Sequence, residues 1–162
     1  MGQYGGGPKT GGLMAIYVDD TGTPATDPTA GSYALVAEVE DCSIDRSRAT
    51  AELRRRGNRA AKGLPGTKNP TTAEFRMPFG LDETVYDLLR AAYEGEEVRW
   101  WRFLSGPDSV NGNEGIQAPM FITGAPWDQP LDDVSGYDFS LMIGYLENSG
   151  TEQDESWYTV SV

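Results

Sequence analysis

The residue types that usually carry acid–base, nucleophilic or metal chemistry are scarce in this chain. It has no histidine, which removes the commonest general base, the usual partner of a nucleophilic Ser or Cys, and the commonest metal ligand. The single cysteine, Cys42, stands among Glu40, Asp41 and Asp45, and neighbouring anions disfavour the thiolate that attack requires. It reads as a small buried or half-buried core residue. Acidic pairs at Asp19/Asp20, Glu96/Glu97 and Asp132/Asp133 could serve acid–base or hard-cation chemistry. None has calcium-loop spacing: the twelfth position counted from Asp19 is Ala30, and from Asp20 it is Gly31. Ordinary solvated surface accounts for them. GGGPKT near the start resembles a phosphate loop, but Pro8 stands where that loop needs a glycine before its lysine, and no strand precedes it. The expectation is a chain that is not an enzyme and takes no cofactor and no metal.

The remaining candidates act by contact. Trp100 and Trp101 are consecutive in a strand-like run, so they face opposite ways, and on a one-sided sheet only one can be core. The other could be a platform for a ligand, as in a carbohydrate-binding sandwich with Trp100, Trp101 or Trp127 as platforms. It could equally anchor a subunit interface, where aromatic residues are enriched.

Charge favours the interface. Eight of the 13 basic residues fall between 46 and 68: Arg46, Arg48, Arg54, Arg55, Arg56, Arg59, Lys62 and Lys68, opposed only by Glu52. No Lys or Arg follows Arg102, whereas ten acids do, and the net charge is −12. Polarised subunits can add head to tail, because each carries both halves of a complementary pair. The bland alternative is a solvated basic face. An anionic body repels nucleic-acid phosphate, and the basic segment has no interleaved aromatic on which bases could stack.

The elements that must position these residues follow from pattern. At 162 residues one domain is expected, over 13–162, behind a glycine-rich flexible arm at 1–12. No signal peptide or membrane span is recognisable. Leu13 to Val18 reads as a first strand, Asp19 to Ser32 as turn chemistry, and Tyr33 to Asp45 as one alternating strand. The segment 46–70 is rich in glycine and proline in its second half; a short helix over Ala49 to Arg56 and an extended loop both fit. Thr71 to Phe79 resumes the two-residue period, with Pro78 marking a strand end or a sheet edge. Glu83 to Glu94 is a helix, capped by Asp82 and closed by Gly95, whose apolar stripe is Val85, Leu88, Leu89 and Ala92. Strands follow at Val98 to Leu104, Ile116 to Thr123, Tyr137 to Leu146 and in the final SWYTVSV. The sum is a mainly β chain with one helix: two packed antiparallel sheets, sandwich or barrel, with a long inter-strand loop.

A strand ending in VEDCSIDRSRATAE, a polar loop with LPGTKNP, the strand TTAEFRMPF, the helix LDETVYDLLRAAYEGEEV and a late GYDFSLMIGYL strand occur in that order. Together they resemble the tail tube proteins (major tail proteins) of long-tailed bacteriophages, over roughly residues 33 to 146. The resemblance implies two antiparallel sheets flanked by a helix, as in the tubes of contractile injection systems. It implies homohexameric rings that self-assemble and stack into a hollow tube in the virion tail, built in the host cytoplasm, through which the genome passes. Its implied partners are further copies of itself and other tail proteins such as the tape measure and terminator, with DNA only as passing cargo and no membrane. Carried to this chain, 46–70 would be the loop that reaches a neighbour, and lining strands would come from 33–45, 71–79, 116–123 and 137–146. Glu38, Glu40 and Asp138 are the expected channel-lining acids. Expected inter-subunit contacts are Arg46, Arg48, Arg54, Arg55, Arg56, Arg59, Lys62, Trp100 and Trp101.

Overall fold

The computed structural model describes residues 14–36, 39–53, 62–78, 83–129, 131 and 135–162. The expected arm at 1–12, the cap at Asp82, and Glu38, Arg54, Arg55, Arg56 and Arg59 lie outside them. The first strands are β1 (Ala15–Asp19), β2 (Tyr33–Val36), β3 (Glu40–Asp45), β4 (Arg48–Leu53), β5 (Lys62–Lys68) and β6 (Thr72–Pro78). The helix α1 (Glu83–Glu94) precedes β7 (Arg99–Leu104), β8 (Glu114–Gly124), β9 (Trp127–Asp128) and β10 (Gly136–Ile143). Two short strands, β11 (Glu147–Asn148) and β12 (Thr151–Glu152), pair with each other before β13 (Ser156–Thr159).

The nine-stranded main sheet runs β2-β1-β7-β8-β10-β6-β3, with β13 added on β8 and β9 on β10. All its pairings are antiparallel. Its two outermost strands, β2 and β3, are joined by residues 37–39 alone. Six inter-strand spacings of about 4.8 Å would put those strands about 29 Å apart in a flat sheet. The chain from Val36 to Glu40 reaches at most about 15 Å. The sheet therefore curls, and its two ends face each other as a sandwich. The 11-residue β8 is the shared spine: its first half pairs with β13 and its second half with β10.

One stretch expected as a single strand is thus two. The physical reason is partner choice: β2 pairs with β1 and β3 with β6, at opposite ends of the sheet order. Within β3, Glu40 opposes Arg76 and Ser43 opposes Glu74, so a bulge adds one residue there. Asp41 takes a φ of 44° at that point, the left-handed region that Asp tolerates better than most residues. Side-chain parity does not carry across the break. Val36 is buried and Leu35 is 46% exposed, the reverse of the face expected from Glu38 and Glu40.

The core lies inside the curl. Val18 and Trp101 on one half meet Phe75 and Phe139 on the other, with ring centroids 5.9 Å apart for Phe75–Trp101 and 5.3 Å for Phe75–Phe139. The helix sits where its periodicity predicts and buries Val85, Leu89 and Ala92, with Leu88 half-buried. Its end differs in detail. Glu97 N–H donates to Ala92 O at 3.0 Å and Glu96 N–H to Tyr93 O at 3.2 Å, the paired bonds of a Schellman closure. The left-handed residue is Glu96, at φ 52°, and not Gly95.

Leu89 is fully buried between helix and sheet. Leu89→Ala is expected to lower the unfolding free energy by about 2–5 kcal/mol, read as a lower urea midpoint at unchanged slope.

Candidate assembly surfaces

The basic segment forms neither of the structures its composition suggested. Among the described residues, β4 and β5 pair as an antiparallel arm in a sheet of their own. The GLPGTK run can be a strand because Gly66 packs against the opposite backbone: an added Cβ would lie 2.7 Å from Ala49 O. Arg48 Nη1 donates to Gly66 O at 3.2 Å. Every residue of the arm is exposed except Leu53 and Gly66, which are half-buried. Six extended residues reach about 20 Å, so the arm projects well beyond the sandwich. Arg48 and Lys62 lie on its strands.

The root of the arm is built with care. Asn69 N–H donates to Ser47 O, and Asn69 Nδ2 to Ser47 Oγ, both at 3.0 Å. Beside this root lies Glu155, immediately before β13, its side chain only 2% exposed. Its carboxylate accepts from Arg46 Nη2 at 3.0 Å, Lys68 Nζ at 2.5 Å and Thr71 Oγ1 at 2.6 Å. Burial alone would raise this carboxyl's pKa. The hydrogen bonds from Lys68, Thr71 and Arg46, with the charge of Arg46, outweigh it and hold the group at about 2. Arg46 was expected to contact a neighbouring subunit; its guanidinium is engaged inside its own. The reason is a partner 109 residues away, a proximity that only the fold creates.

A second surface is acidic. On β6 the residues alternate between the buried Ala73, Phe75 and Met77 and the outward Thr72, Glu74 and Arg76. Register places Glu40 on β3 and Asp138 on β10 on either side of Arg76, and Asp45 opposite Thr72. Glu74, Asp45 and Asp138 are exposed. Arg76 Nη1 lies 3.3 Å from Asp138 Oδ1 and is the cation of this row. Of the three acids expected to line a channel, Asp138 stands on this outward face beside Arg76, and Glu40 is opposite Arg76 in the backbone register.

The tryptophan expectation needs correction. Trp100 and Trp101 do face opposite ways, but both are buried, at 2% and 1% exposure. Trp101 enters the main core. Trp100 is covered by the 20–32 loop, and its indole N–H donates to Thr26 O at 3.3 Å. The sheet is covered on both faces at this point, so neither ring leaves the subunit's own interior. The covering loop hangs on Asp19, a fully buried acid first read as solvated surface. Its carboxylate accepts from Thr21 N at 3.0 Å, Thr21 Oγ1 and Ala25 N at 2.8 Å. Arg99 Nη1 in turn donates to the carbonyls of Asp19 and Thr21, both at 2.9 Å. On the same side Arg102 lies between the rings of Tyr33 and Tyr158, 3.7 and 4.2 Å from their centroids. Cys42 is half-buried, and burial pushes its thiol up to about 11. Trp127 is 55% exposed and stacks on Tyr137.

No protein-family model and no curated protein matches the chain. Solved structures do. A chain from the tail of an empty gene transfer agent particle, refined helically with C6 symmetry, is 14% identical with a TM-score of 0.65, covering 95% of this chain and 100% of that one. The SPP1 tail tube is 12% identical with a TM-score of 0.65, covering 91% and 80%. A chain of the PVC sheath–tube complex, an extracellular contractile injection system in its extended state, is 14% identical with a TM-score of 0.57, covering 94% and 93%. The fold is that of phage and contractile-injection-system tail tube proteins.

Glu155→Gln is expected to loosen the arm more than the body. The arm's cations, Arg46 and Lys68, are about half exposed and rehydrate when released, so the global cost is about 1 kcal/mol after solvent screening. Amide exchange should accelerate in 48–53 and 62–68 while β7 and β8 keep their protection. Acid should have the same effect on the wild type. A carboxyl lowered from 4.5 to about 2 contributes stability that is fully present above 4.5 and is lost as pH falls through 2. Unchanged arm exchange in the variant at neutral pH would show that Glu155 does not hold the arm.

Proposed function

We propose that this chain is a non-enzymatic structural subunit that polymerises as stacked, six-membered rings into a hollow tail tube through which DNA passes. The observation that carries the reading is the arm. A two-stranded sheet exposed on both faces is marginal in water, and its Arg and Lys face an otherwise anionic molecule. Such an element makes physical sense when a second subunit covers it. The shared fold, and the C6 symmetry of one structure with that fold, support a ring of six.

The acidic face supports the tube in a second way. Asp45, Glu74 and Asp138 against Arg76 leave two more acids than bases among the described side chains of that face. A wall of that sign repels phosphate over about 8–10 Å at ordinary salt and lets a duplex slide without sticking. Further copies of the chain, a tape measure and a terminator are the partners such a tube would need, and the virion tail is where it would reside. The competing reading, a carbohydrate-binding sandwich, loses Trp100 and Trp101 to the interior and keeps only Trp127 of its three platforms.

Two outcomes test this. Reversing Arg54, Arg55 and Arg56 to Glu should leave circular dichroism and unfolding unchanged within about 0.5 kcal/mol yet abolish tubes in negative-stain images, because like charges then meet at the contact. Normal tubes from that variant would reduce the basic segment to a solvated face. Glu74→Lys with Asp45→Lys should leave tubes intact but make them retain DNA, the retention weakening steeply with salt. Tubes of that variant that release DNA as the wild type does would exclude this face as the channel wall.

A further inference from the structure

The arm's own subunit leaves it uncovered, and it also leaves a trough uncovered along α1. Two adjoining depressions, of roughly 190 and 830 Å³, share Tyr93 and Glu94. Tyr86, Tyr93 and Glu94 stand at i, i+7 and i+8, one stripe of the helix. The facing wall is Phe121 and Thr123 of β8, and Tyr145 beyond β10 closes one end. Tyr93 is 44% exposed and Tyr145 67%. Glu94 and Glu96 are exposed, and among the described residues no cation pairs with either. Arg90 also lines the trough, its guanidinium 6.0 Å from the Tyr86 ring centroid and 3.8 Å from Asp87 Oδ1, so Glu94 and Glu96 outnumber the one cation there.

We propose that this trough receives the β4–β5 arm of a second copy of the chain. The proposal rests on the polymer reading and adds the surface on which the arm lands. Charge selects the occupant: the arm brings Arg48 and Lys62 on its strands, with Arg54, Arg55, Arg56 and Arg59 between them in sequence, to a trough bearing Glu94 and Glu96. Guanidinium groups also stack favourably on tyrosine faces. Shape and polarity agree, because the arm exposes Leu64 (45%), an apolar side chain that Tyr93 and Phe121 can cover. The acidic outward face of β3, β6 and β10 offers charge but no apolar partner for Leu64. A contact between two different surfaces of one chain is heterologous and propagates to a further copy, closing as a ring or continuing as a filament.

The test is a disulfide trap in otherwise complete protein carrying Cys42→Ser. Leu64→Cys with Tyr93→Cys, oxidised under assembly conditions, is expected to lose the monomer band to a ladder of covalent oligomers on non-reducing gels. Leu64→Cys with Glu74→Cys should stay monomeric on the same gels. Tubes that form normally without a Leu64–Tyr93 ladder would overturn the landing site while leaving the polymer reading intact, and a ladder from the Glu74 pair would move the arm to the acidic face. A Cys42→Ser parent that never exceeds a monomer, tail components present, would instead remove the polymer reading on which the proposal rests. Glu94→Lys with Glu96→Lys supplies an independent readout: tubes should be lost with circular dichroism unchanged, and normal tubes would overturn the proposal.

Discussion

Three residues between β2 and β3 constrain this molecule more than any single contact does. Because so short a link joins the two outermost strands of the main sheet, the sheet must curl for both strands to keep their pairings. That closure brings Val18 and Trp101 against Phe75 and Phe139. It also turns the polar face of β3, β6 and β10 outward, since the residues between the inward Ala73, Phe75 and Met77 have nowhere else to go. The core and the acidic face are two sides of one geometric requirement.

The same closure sets where the charges go. A sandwich with a filled interior has no room for a strand pair as basic as β4 and β5, so that pair is expelled as an arm. One acid, Glu155, is retained at its root. This anion is buried but satisfied, with three donors around it, which is the condition under which burial of a carboxylate is tolerated. The remaining acids spread over the body. The polarity visible in the composition thus becomes a spatial polarity: cations on the projection, anions on the surface from which it projects.

Much of the fold was legible in the sequence because its elements are locally encoded. The stripe Val85, Leu88, Leu89 and Ala92 located α1, and the alternation in TTAEFRMPF located β6 with its buried and outward faces. What escaped depended on partners remote in sequence. Nothing around Glu155 announces Arg46 and Lys68, and nothing around Asp19 distinguishes a buried acid from the solvated Asp20 beside it. The Trp100–Trp101 pair was misread because a one-sided sheet was assumed, whereas the turn-rich 20–32 segment folds back as a lid over Trp100. The arm was misread because its glycines and prolines were weighed only against a long helix, while Gly66 serves a strand pair here by letting two backbones meet. The candidate sites followed the same rule: residue type and charge were readable, and placement was not.

Glu155 has a mechanical consequence as well as an electrostatic one. The arm is covalently rooted at two places, before β4 and after β5, and a body held at two points can still swivel about the line between them. Glu155 supplies a third attachment that belongs to another part of the chain, the segment leading into β13. Three attachments remove the swivel, so the arm becomes a fixed bracket with a set direction. The third attachment continues into β13, which is paired along the first half of β8, the spine of the sheet. A bracket of this kind presents its cations at one place and one angle.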